Sequence, residues 1–345
     1  MSKQRLLSIV QPLLAWYDQN ARVLPWRENT APYRVWVSEI MLQQTRVEAV
    51  IPYYRRFMQE LPTIQALADA DEELLLKLWE GLGYYTRVRN LQKAAKKICA
   101  EYGGEFPADF DAIRSLPGIG DYTAGAISSI SFGQPTPGVD GNVLRVVARL
   151  TADATDLANA SFRVRTATAL AEVYPTRCGD FTQSLMELGA VVCLPNGAPK
   201  CDSCPLAFCC KAYAQGSQAV LPVKATKKER RQEDKTVLLL CCGDKVALRK
   251  RAAGGLLGGL WEFPNLDGLL SPEQATEWLG KAGLAPCDLR ALPAKRHVFT
   301  HVEWQMHGYL AQCANRVDTF VWVTREELTE RIGLPTAFKQ FCKLL

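Results

Sequence analysis

Apolar residues recur at intervals of three and four through most of the first 213 residues, which is the spacing of amphipathic helices. Stretches such as YRVWVSEIMLQQT, IPYYRRFMQEL and FTQSLMELGAVVC show it, and sustained strand-like alternation is absent from this region. The later stretches TVLLLCCGDKVALRKR and HVFTHVEWQMHGYLAQC are β-rich instead, with helical runs at SPEQATEWLGKAG and REELTERIG. The pattern predicts a helical region followed by a domain of strands and helices.

The polar, basic segment QGSQAVLPVKATKKERRQEDK lies where the pattern changes. We therefore predict a helical domain over 1–213, a linker over 214–233 and a second domain over 234–345. A chain of 345 residues is long enough for two such domains, each with its own core.

Composition narrows the class of protein only modestly. The net charge of +5 permits binding to a polyanion but does not argue for it. The charge-free stretch 122–139 is long enough to cross a bilayer, but it is rich in Ser, Thr, Gly, Pro and Gln, so we expect no membrane span. The start of the chain fits an amphipathic helix better than a secretory signal, and a cytoplasmic protein is expected.

Five of the twelve cysteines fall within CLPNGAPKCDSCPLAFCC, residues 193 to 210. Because cytosolic thiols are kept reduced, such density indicates metal ligation more than disulfides. Zinc and a four-iron cluster each use four thiolates, so the spacing leaves the metal open, and inert buried cysteines are the bland alternative. The expected ligands are Cys193, Cys201, Cys204 and Cys210, with Cys209 spare.

The segment LPGIG lies between two stretches that can each form a helix, which predicts a helix-hairpin-helix. Gly118 and Gly120 allow positive φ and close backbone approach, so the hairpin can offer N–H groups to a phosphate without reading base sequence. An ordinary turn between two helices is the alternative.

Two carboxylates are candidates for acid–base chemistry. Glu39 has Val35, Trp36 and Leu42 at helical spacing around it, an apolar surrounding that should raise the pKa of its carboxyl. Asp140, in GVDGNVLRV, also suits the cap of a helix. A solvated helical glutamate and a capping aspartate are the ordinary interpretations of these two residues.

Taken together, the hairpin, the VDGN segment and the cysteine cluster resemble the endonuclease III superfamily of DNA glycosylases. LPWR, SEIMLQQT, GLGYYTRVRNL and the strand-rich end resemble its adenine glycosylases, the MutY family. The resemblance implies a multidomain α and α+β fold: an all-α helix-hairpin-helix glycosylase domain with an iron–sulfur module over 193–210, then a Nudix-like α/β domain. It also implies that the metal centre is a [4Fe-4S] cluster.

The resemblance implies removal of adenine mispaired with 8-oxoguanine or guanine in duplex DNA. Glu39 would protonate adenine and later activate water, and Asp140 would stabilise the sugar cation, assisted by Tyr122 and Asn142. Members that also cut the backbone carry a lysine at the position of Tyr122, so this chain is expected to be monofunctional. A core tyrosine is the alternative.

A target adenine must be flipped out of the duplex, so the family resemblance also implies a base pocket and side chains that replace the base. Gln44 would be inserted, with Tyr84 as a wedge beside the lesion and Leu82 nearby, although either aromatic of GYY could be a core residue. Gln183 could also serve in a capping box with Asp180. The expected pocket comprises Arg22, Leu24, Trp26, Arg27, Leu42 and Gln183.

The second domain resembles a Nudix fold through GGLWEFP, but the expected helix holds only Glu273 and Glu277 of the acidic residues that bind Mg²⁺ in Nudix hydrolases. Binding without hydrolysis is therefore expected. The family's lesion-reading Phe-Ser-His loop corresponds to Phe299, Thr300 and His301. The even spacing of the three histidines fits one face of a single strand, with a metal site as the alternative.

Three other functions are alternatives to this interpretation. A bifunctional pyrimidine-specific endonuclease is disfavoured by Tyr122, a non-enzymatic iron–sulfur DNA-binding module would not need Glu39 and Asp140, and a Nudix hydrolase would need Mg²⁺ and a complete acidic motif. We expect a monomer acting on duplex DNA, with no membrane partner, in a bacterial cytoplasm.

Overall fold

The computed structural model describes residues 2–223 and 229–345, and its chain divides into two compact units. The first comprises residues 1–69 and 90–226, and the second comprises 70–89 and 227–345. The division into domains over 1–213 and 234–345 stays a prediction from the sequence, and the two units do not follow it throughout. The sequence pattern did not anticipate that residues 70–89 belong with the C-terminal part of the chain.

The first 223 residues are helical wherever they form regular structure, as the spacing predicts. The regular structure of this region consists of α-helices and of two single-turn 3₁₀ segments, at Cys201–Ser203 and Ala207–Cys209. The α-helices are α1 (Lys3–Asn20), α2 (Pro32–Leu42), α3 (Val47–Glu60), α4 (Ile64–Asp69), α5 (Glu72–Leu78), α6 (Thr86–Tyr102), α7 (Phe110–Arg114), α8 (Asp121–Phe132), α9 (Gly141–Thr151), α10 (Ala160–Ala171), α11 (Cys178–Val191) and α12 (Lys211–Ala214).

Local sequence explains where several of these helices begin and end. Asp109 and Asp140 accept backbone N–H hydrogen bonds at the N-termini of α7 and α9, the usual role of a capping aspartate. Gly133 ends α8 in the left-handed conformation that glycine favours. The apolar faces of α1, α9, α10 and α11 pack together into a buried core that includes Leu13 and Phe181.

The predicted helix-hairpin-helix is formed by α7, the turn at 115–120 and α8. Gly118 has φ +79°, and a Cβ there would lie 2.7 Å from the Cβ of Asn90, so both the backbone conformation and the close approach require glycine. Gly120 caps α8 with no side chain over the first amides of the helix. Both glycines are exposed.

The second unit contains a seven-stranded mixed sheet in the order β3-β2-β1-β6-β5, with β4 paired to β1 and β7 paired to β2. The β1–β6 pair is parallel and the other pairs are antiparallel. The strands and helices are β1 (Arg231–Cys242), β2 (Lys245–Lys250), β3 (Trp261–Glu262), β4 (Asn265–Asp267), α13 (Pro272–Lys281), β5 (Pro286–Val298), β6 (Val302–Cys313), β7 (Val321–Thr324), α14 (Arg325–Glu330) and α15 (Thr336–Lys339).

The continuous apolar run of β1 is buried on both faces of this sheet. Val237 and Leu239 pack into one core cluster, whereas Leu238 and Leu240 pack into another. Because successive side chains of a strand point to opposite faces, an uninterrupted apolar run is what a doubly covered strand requires.

The predicted linker over 214–233 lies partly outside the described residues, which omit 224–228. Its first part packs on the first unit, because Arg149 donates a hydrogen bond from Nε to the carbonyl of Leu221 at 2.8 Å. Its last residues already form strand, since β1 begins at Arg231.

The expectation that the three histidines share one strand is wrong. Residues 299–301 form the turn of the β5–β6 hairpin, so His297 lies on β5 and His307 on β6, with His301 in the turn. Even spacing in sequence cannot reveal a turn that lies between the residues. Within the described chain, no helix combines the length and apolarity that a bilayer crossing requires.

Candidate active site

Glu39 lies in the middle of α2 and is 6% exposed. The hydroxyl of Tyr122 donates a hydrogen bond to its Oε2. The pKa of Glu39 is raised from 4.5 to about 7, because burial and, to a lesser extent, the nearby Asp140 raise it by more than the Tyr122 hydrogen bond and Arg27 lower it. The carboxyl is therefore poised to hold or release a proton near neutral pH.

Tyr122 and Asp140 reach the same place from different helices. Tyr122 lies in the first turn of α8, directly after the hairpin, and burial raises the pKa of its phenol well above 10, as do the neighbouring carboxyls. A phenol in this state is a hydrogen-bond donor, not a nucleophile, at neutral pH. The hairpin thus presents the tyrosine to the buried glutamate.

Asp140 caps α9 and is held by that role in a fixed orientation. Its Oδ1 accepts the backbone N–H of Val143 at 2.7 Å and its Oδ2 accepts the side-chain amide of Asn142 at 2.7 Å. Burial raises the pKa of Asp140 from 3.8, although these hydrogen bonds oppose the increase. The capping role expected of Asp140 is observed, and the same residue lines the cavity described next.

A single cavity of about 770 Å³ contains these groups, within the range of small-molecule sites. The expected base-pocket residues line it as well, so residues spread from position 22 to position 183 meet here. Among the predicted residues, its walls include Arg22, Leu24, Trp26, Arg27, Glu39, Leu42, Gln44, Tyr122, Asp140, Asn142 and Gln183.

Sequence reasoning missed Glu187, the acidic residue that organises the cationic side of the cavity. It is 1% exposed, and it accepts hydrogen bonds from Arg22 Nε at 2.6 Å and from Arg27 Nη2 at 2.8 Å. Burial raises the pKa of this carboxyl, but the two arginines outweigh that effect and lower it. No signal in the sequence distinguished it from a solvated helical glutamate, because its partners are about 160 residues away.

Arg27 also fixes the orientation of Gln183. Its Nε donates to the Gln183 side-chain oxygen at 3.1 Å. With the oxygen so engaged, the amide nitrogen of Gln183 remains as a donor. The capping-box alternative for Gln183 finds no support, since Arg177 is the N-cap residue of α11 and its cap shows no side-chain hydrogen bond.

The helices α9 and α11 approach closely beneath this cavity. A Cβ on Gly189 would lie 2.6 Å from the Cβ of Asn142, so glycine is required there. Arg145 crosses the contact, donating to the Asn142 side-chain oxygen at 2.8 Å and to the carbonyl of Cys193 at 2.8 Å. The residue that supports Asp140 is thereby tied to the start of the cysteine-rich segment.

Four of the five clustered cysteines line a second cavity, and they are the four expected ligands: Cys193, Cys201, Cys204 and Cys210. Cys209 is not among its lining residues. Arg149 Nη1 donates to the sulfur of Cys193 at 3.2 Å, which places a cationic side chain beside this cavity. Among the described residues, no three His, Cys, Asp or Glu side chains lie close enough to hold a single metal ion.

The residues expected at the DNA gap differ in their surroundings. Gln44 is exposed, lies two residues after the end of α2 and has φ 59°, a conformation that non-glycine residues seldom adopt. Tyr84 has φ 48° and is 47% exposed, whereas its neighbour Leu82 is 7% exposed. Tyr84 is not a core residue, and the aromatic of GYY that is buried is Tyr85, at 6%.

The second unit brings Tyr84 and Thr300 together. Their hydroxyl oxygens are 2.5 Å apart, and either can be the donor. Phe299 packs edge-on against Trp304 with ring centroids 4.9 Å apart, which anchors the turn, while Thr300 and His301 are exposed. The two elements expected near the same lesion are therefore in contact in this unit.

The two glutamates of the Nudix-like helix α13 serve local contacts. Glu273 accepts a hydrogen bond from the Ser271 hydroxyl at 2.6 Å, and Glu277 pairs with Lys281 at 2.6 Å. Neither belongs to a cluster of carboxylates within the described chain.

Two stretches of the chain match models of known families. Residues 37–165 match the model of the HhH-GPD superfamily base excision DNA repair proteins, and residues 236–344 match the NUDIX domain model. A solved thermostable thymine-DNA glycosylase covers 61% of this chain and 98% of its own, with a TM-score of 0.55 at 26% identity. An endonuclease III–DNA complex shares the fold, with a TM-score of 0.54 at 23% identity, covering 63% and 98% of the two chains. The fold and the carboxyl-lined cavity define a DNA glycosylase of the helix-hairpin-helix class.

The sequence comparison is more specific. The chain is 36% identical to the adenine DNA glycosylase of Rattus norvegicus, in an alignment 398 residues long that covers 95% of this chain and 76% of its relative. The chain belongs to the adenine DNA glycosylase family.

Proposed function

We propose that this protein removes adenine paired with 8-oxoguanine, or with guanine, from duplex DNA by hydrolysing the N-glycosidic bond without cutting the backbone. The observation that carries the proposal is the buried Glu39 carboxyl, with a pKa raised to about 7, in one cavity with Asp140. Glycosidic cleavage needs a proton donor for the leaving base and an anion for the sugar, and these two groups supply both.

In this mechanism the protonated form of Glu39, which its raised pKa of about 7 keeps populated near neutral pH, donates its proton to N7 of adenine as the glycosidic bond breaks. Asp140, acting as a carboxylate, stabilises the cationic sugar or captures it transiently, and the orientation that Asn142 and Val143 impose on its oxygens prepares it for that task. Glu39, now a carboxylate, then takes the proton of the attacking water.

Tyr122 positions the Glu39 carboxyl through its hydroxyl and cannot form a Schiff base with the sugar. The reaction therefore ends at an abasic site. A bifunctional endonuclease would need an amine at this position, which the structure fills with a phenol.

The flipped adenine enters the cavity from the duplex, and Gln44 fills the space that the base leaves in the stack. Arg22, Arg27 and Gln183 contact the edge of the base. Glu187 holds the two arginines in place, and Arg27 holds Gln183. The exposed amides at Gly118 and Gly120 bind a backbone phosphate near the lesion. Tyr84 enters beside the 8-oxoguanine, whose edge is read at Phe299, Thr300 and His301.

The cysteine-lined cavity supports a [4Fe-4S] cluster held by Cys193, Cys201, Cys204 and Cys210. All four cysteines line this one cavity, and four thiolates are the usual ligand set of such a cluster. The cluster would fix the segment 193–210 next to α9 and α11. Arg149 would neutralise part of its thiolate charge.

The test is incubation with duplexes that carry adenine opposite 8-oxoguanine, with strand breaks measured before and after hot alkali. Breaks that appear only after alkali, and that are lost with Glu39→Gln but kept with the exposed control Glu60→Gln, would support a monofunctional glycosylase. Breaks without alkali would indicate a lyase, and unchanged excision by Glu39→Gln would refute the catalytic assignment. If adenine were removed from none of the duplexes, the interpretation as a non-enzymatic DNA-binding module would remain.

A further inference from the structure

Residues 79–89, here termed the wedge loop and including the first residues of α6, carry Tyr84 and fold as part of the second unit. The loop is unusual in conformation, because Gly81, Gly83 and Tyr84 all have positive φ. Arg87 closes it from within by donating to the carbonyls of Leu82 at 3.0 Å and Gly83 at 3.1 Å. Such a turn keeps its shape locally, but its placement relative to Thr300 must come from elsewhere.

Arg89 ties the end of the wedge loop to the turn between β2 and β3. Its Nη1 donates to the carbonyl of Gly258 at 2.9 Å and its Nη2 to the carbonyl of Gly259 at 3.2 Å. Its Nε pairs with Glu72 at 2.9 Å, so one guanidinium joins α5, the wedge loop and the β2–β3 turn. The planar guanidinium presents its N–H groups in a fixed fork, so the three contacts of Arg89 share one rigid geometry that a lysine ammonium does not have.

Glu80 supports the other end of the wedge loop. It is 9% exposed and accepts the backbone N–H of Leu334 at 3.1 Å and the Lys339 ammonium at 2.9 Å. The loop is thus held at both ends by residues more than 150 positions away. Between these supports lies Tyr84, whose hydroxyl is 2.5 Å from that of Thr300.

We infer that Arg89 is a positioning residue for lesion reading: its fork on Gly258 and Gly259 sets Tyr84 against Thr300 and thereby determines the preference for 8-oxoguanine over guanine opposite adenine. This inference rests on the proposed function. Arg89 does not touch the reacting atoms. A hydroxyl pair that reads one extra oxygen and one extra N–H of a base is sensitive to displacements of about 1 Å, so its support affects specificity before it affects chemistry.

The experiment compares single-turnover adenine excision from 8-oxoguanine:adenine and guanine:adenine duplexes for the wild type, Arg89→Ala and Arg89→Lys. Arg290→Ala serves as the charge-matched control, since Arg290 is an exposed residue of the same unit. Each Arg89 variant is also made in a Tyr84→Ala background. Melting temperature is recorded for every variant to separate misfolding from mispositioning.

We expect Arg89→Ala to lower the preference for 8-oxoguanine by about tenfold, the value of one charge-assisted hydrogen-bond set, with guanine:adenine excision within about twofold of the wild type. Arg89→Lys should restore the preference only in part. In the Tyr84→Ala background the loss of Arg89 should have no further effect, because residues acting through one another are not additive.

Two results would overturn the inference while leaving the proposed function intact. One is a wild type that prefers 8-oxoguanine together with an Arg89→Ala variant that keeps the full preference. The other is an effect of Arg89→Ala that does not act through Tyr84. It would appear as an equal loss of excision rate on both duplexes or as additive effects of Arg89→Ala and Tyr84→Ala, and it would indicate a general structural role. A wild type that excises adenine equally from both duplexes would also overturn the inference, since there would be no preference to support, whereas a wild type that excises adenine from neither duplex would refute the proposed function itself.

Discussion

Replacing Glu39 with glutamine should inactivate the enzyme and stabilise its fold at the same time. Glutamine keeps the shape of the side chain and an oxygen that can accept the Tyr122 hydroxyl, but it cannot ionise. General acid catalysis contributes roughly 10²–10⁴-fold, so excision should fall by about that factor. The stabilisation follows from the cost of ionising a buried carboxyl.

The size of that cost follows from the pKa of Glu39, raised by burial from 4.5 to about 7. Each tenfold change in proton affinity is worth about 1.4 kcal/mol, so full ionisation in the fold costs about 3 kcal/mol. Because the folded protein binds the proton more tightly than the unfolded chain, stability is lost as pH rises from 4.5 to about 7 and stays lost above it. The glutamine variant escapes this loss.

Thermal unfolding measured from pH 5 to pH 8 tests the argument. At pH 8 the variant should melt roughly 6–12 °C above the wild type, and at pH 5 the gain should fall below about a third of that value. Glu187→Gln is the matched control, because Arg22 and Arg27 hold the pKa of Glu187 below 4.5. Its loss should lower the melting temperature at pH 8, the opposite sign for the same chemical change.

A melting temperature that does not change at pH 8, or a gain that is the same at both pH values, would refute the view that Glu39 is held against ionisation by burial. Full activity in the glutamine variant would refute its role as the proton donor. The wild type should also lose activity as pH rises above about 7, while the acid is deprotonated.

Three further predictions concern the surroundings of this carboxyl. Tyr122→Phe removes a hydrogen bond that lowers the pKa of the neighbouring acid, so the alkaline decline of single-turnover excision should move to higher pH; an unchanged profile would contradict this. Cys204→Ala should abolish iron binding by the purified protein, whereas Cys209→Ala should retain it, and equal iron contents would argue against the ligand assignment. Gly189→Ala forces its Cβ against Asn142, so the rate of excision should fall about tenfold without loss of DNA affinity. Excision at the wild-type rate by this variant would contradict the prediction.

Much of the first unit could be predicted from sequence because the signals are local. Helical spacing, capping aspartates and glycine turns act over four or five residues, which explains why the hairpin and the burial of Glu39 were predictable. The apolar neighbours of Glu39 one turn away are enough to indicate a raised pKa. The cysteines are likewise close in sequence, so their spacing was enough to select four candidate ligands, and these same four residues line one cavity.

The sequence by itself therefore determined the helical elements, the hairpin and the chemical character of the buried acid. Only the tertiary structure decided which distant groups meet them. Glu187 gains its role from Arg22 and Arg27, about 160 residues earlier, and Tyr84 meets Thr300 across 216 positions. Such contacts depend on how packed elements close long loops, a property of the whole chain that no local pattern of apolar and polar residues contains.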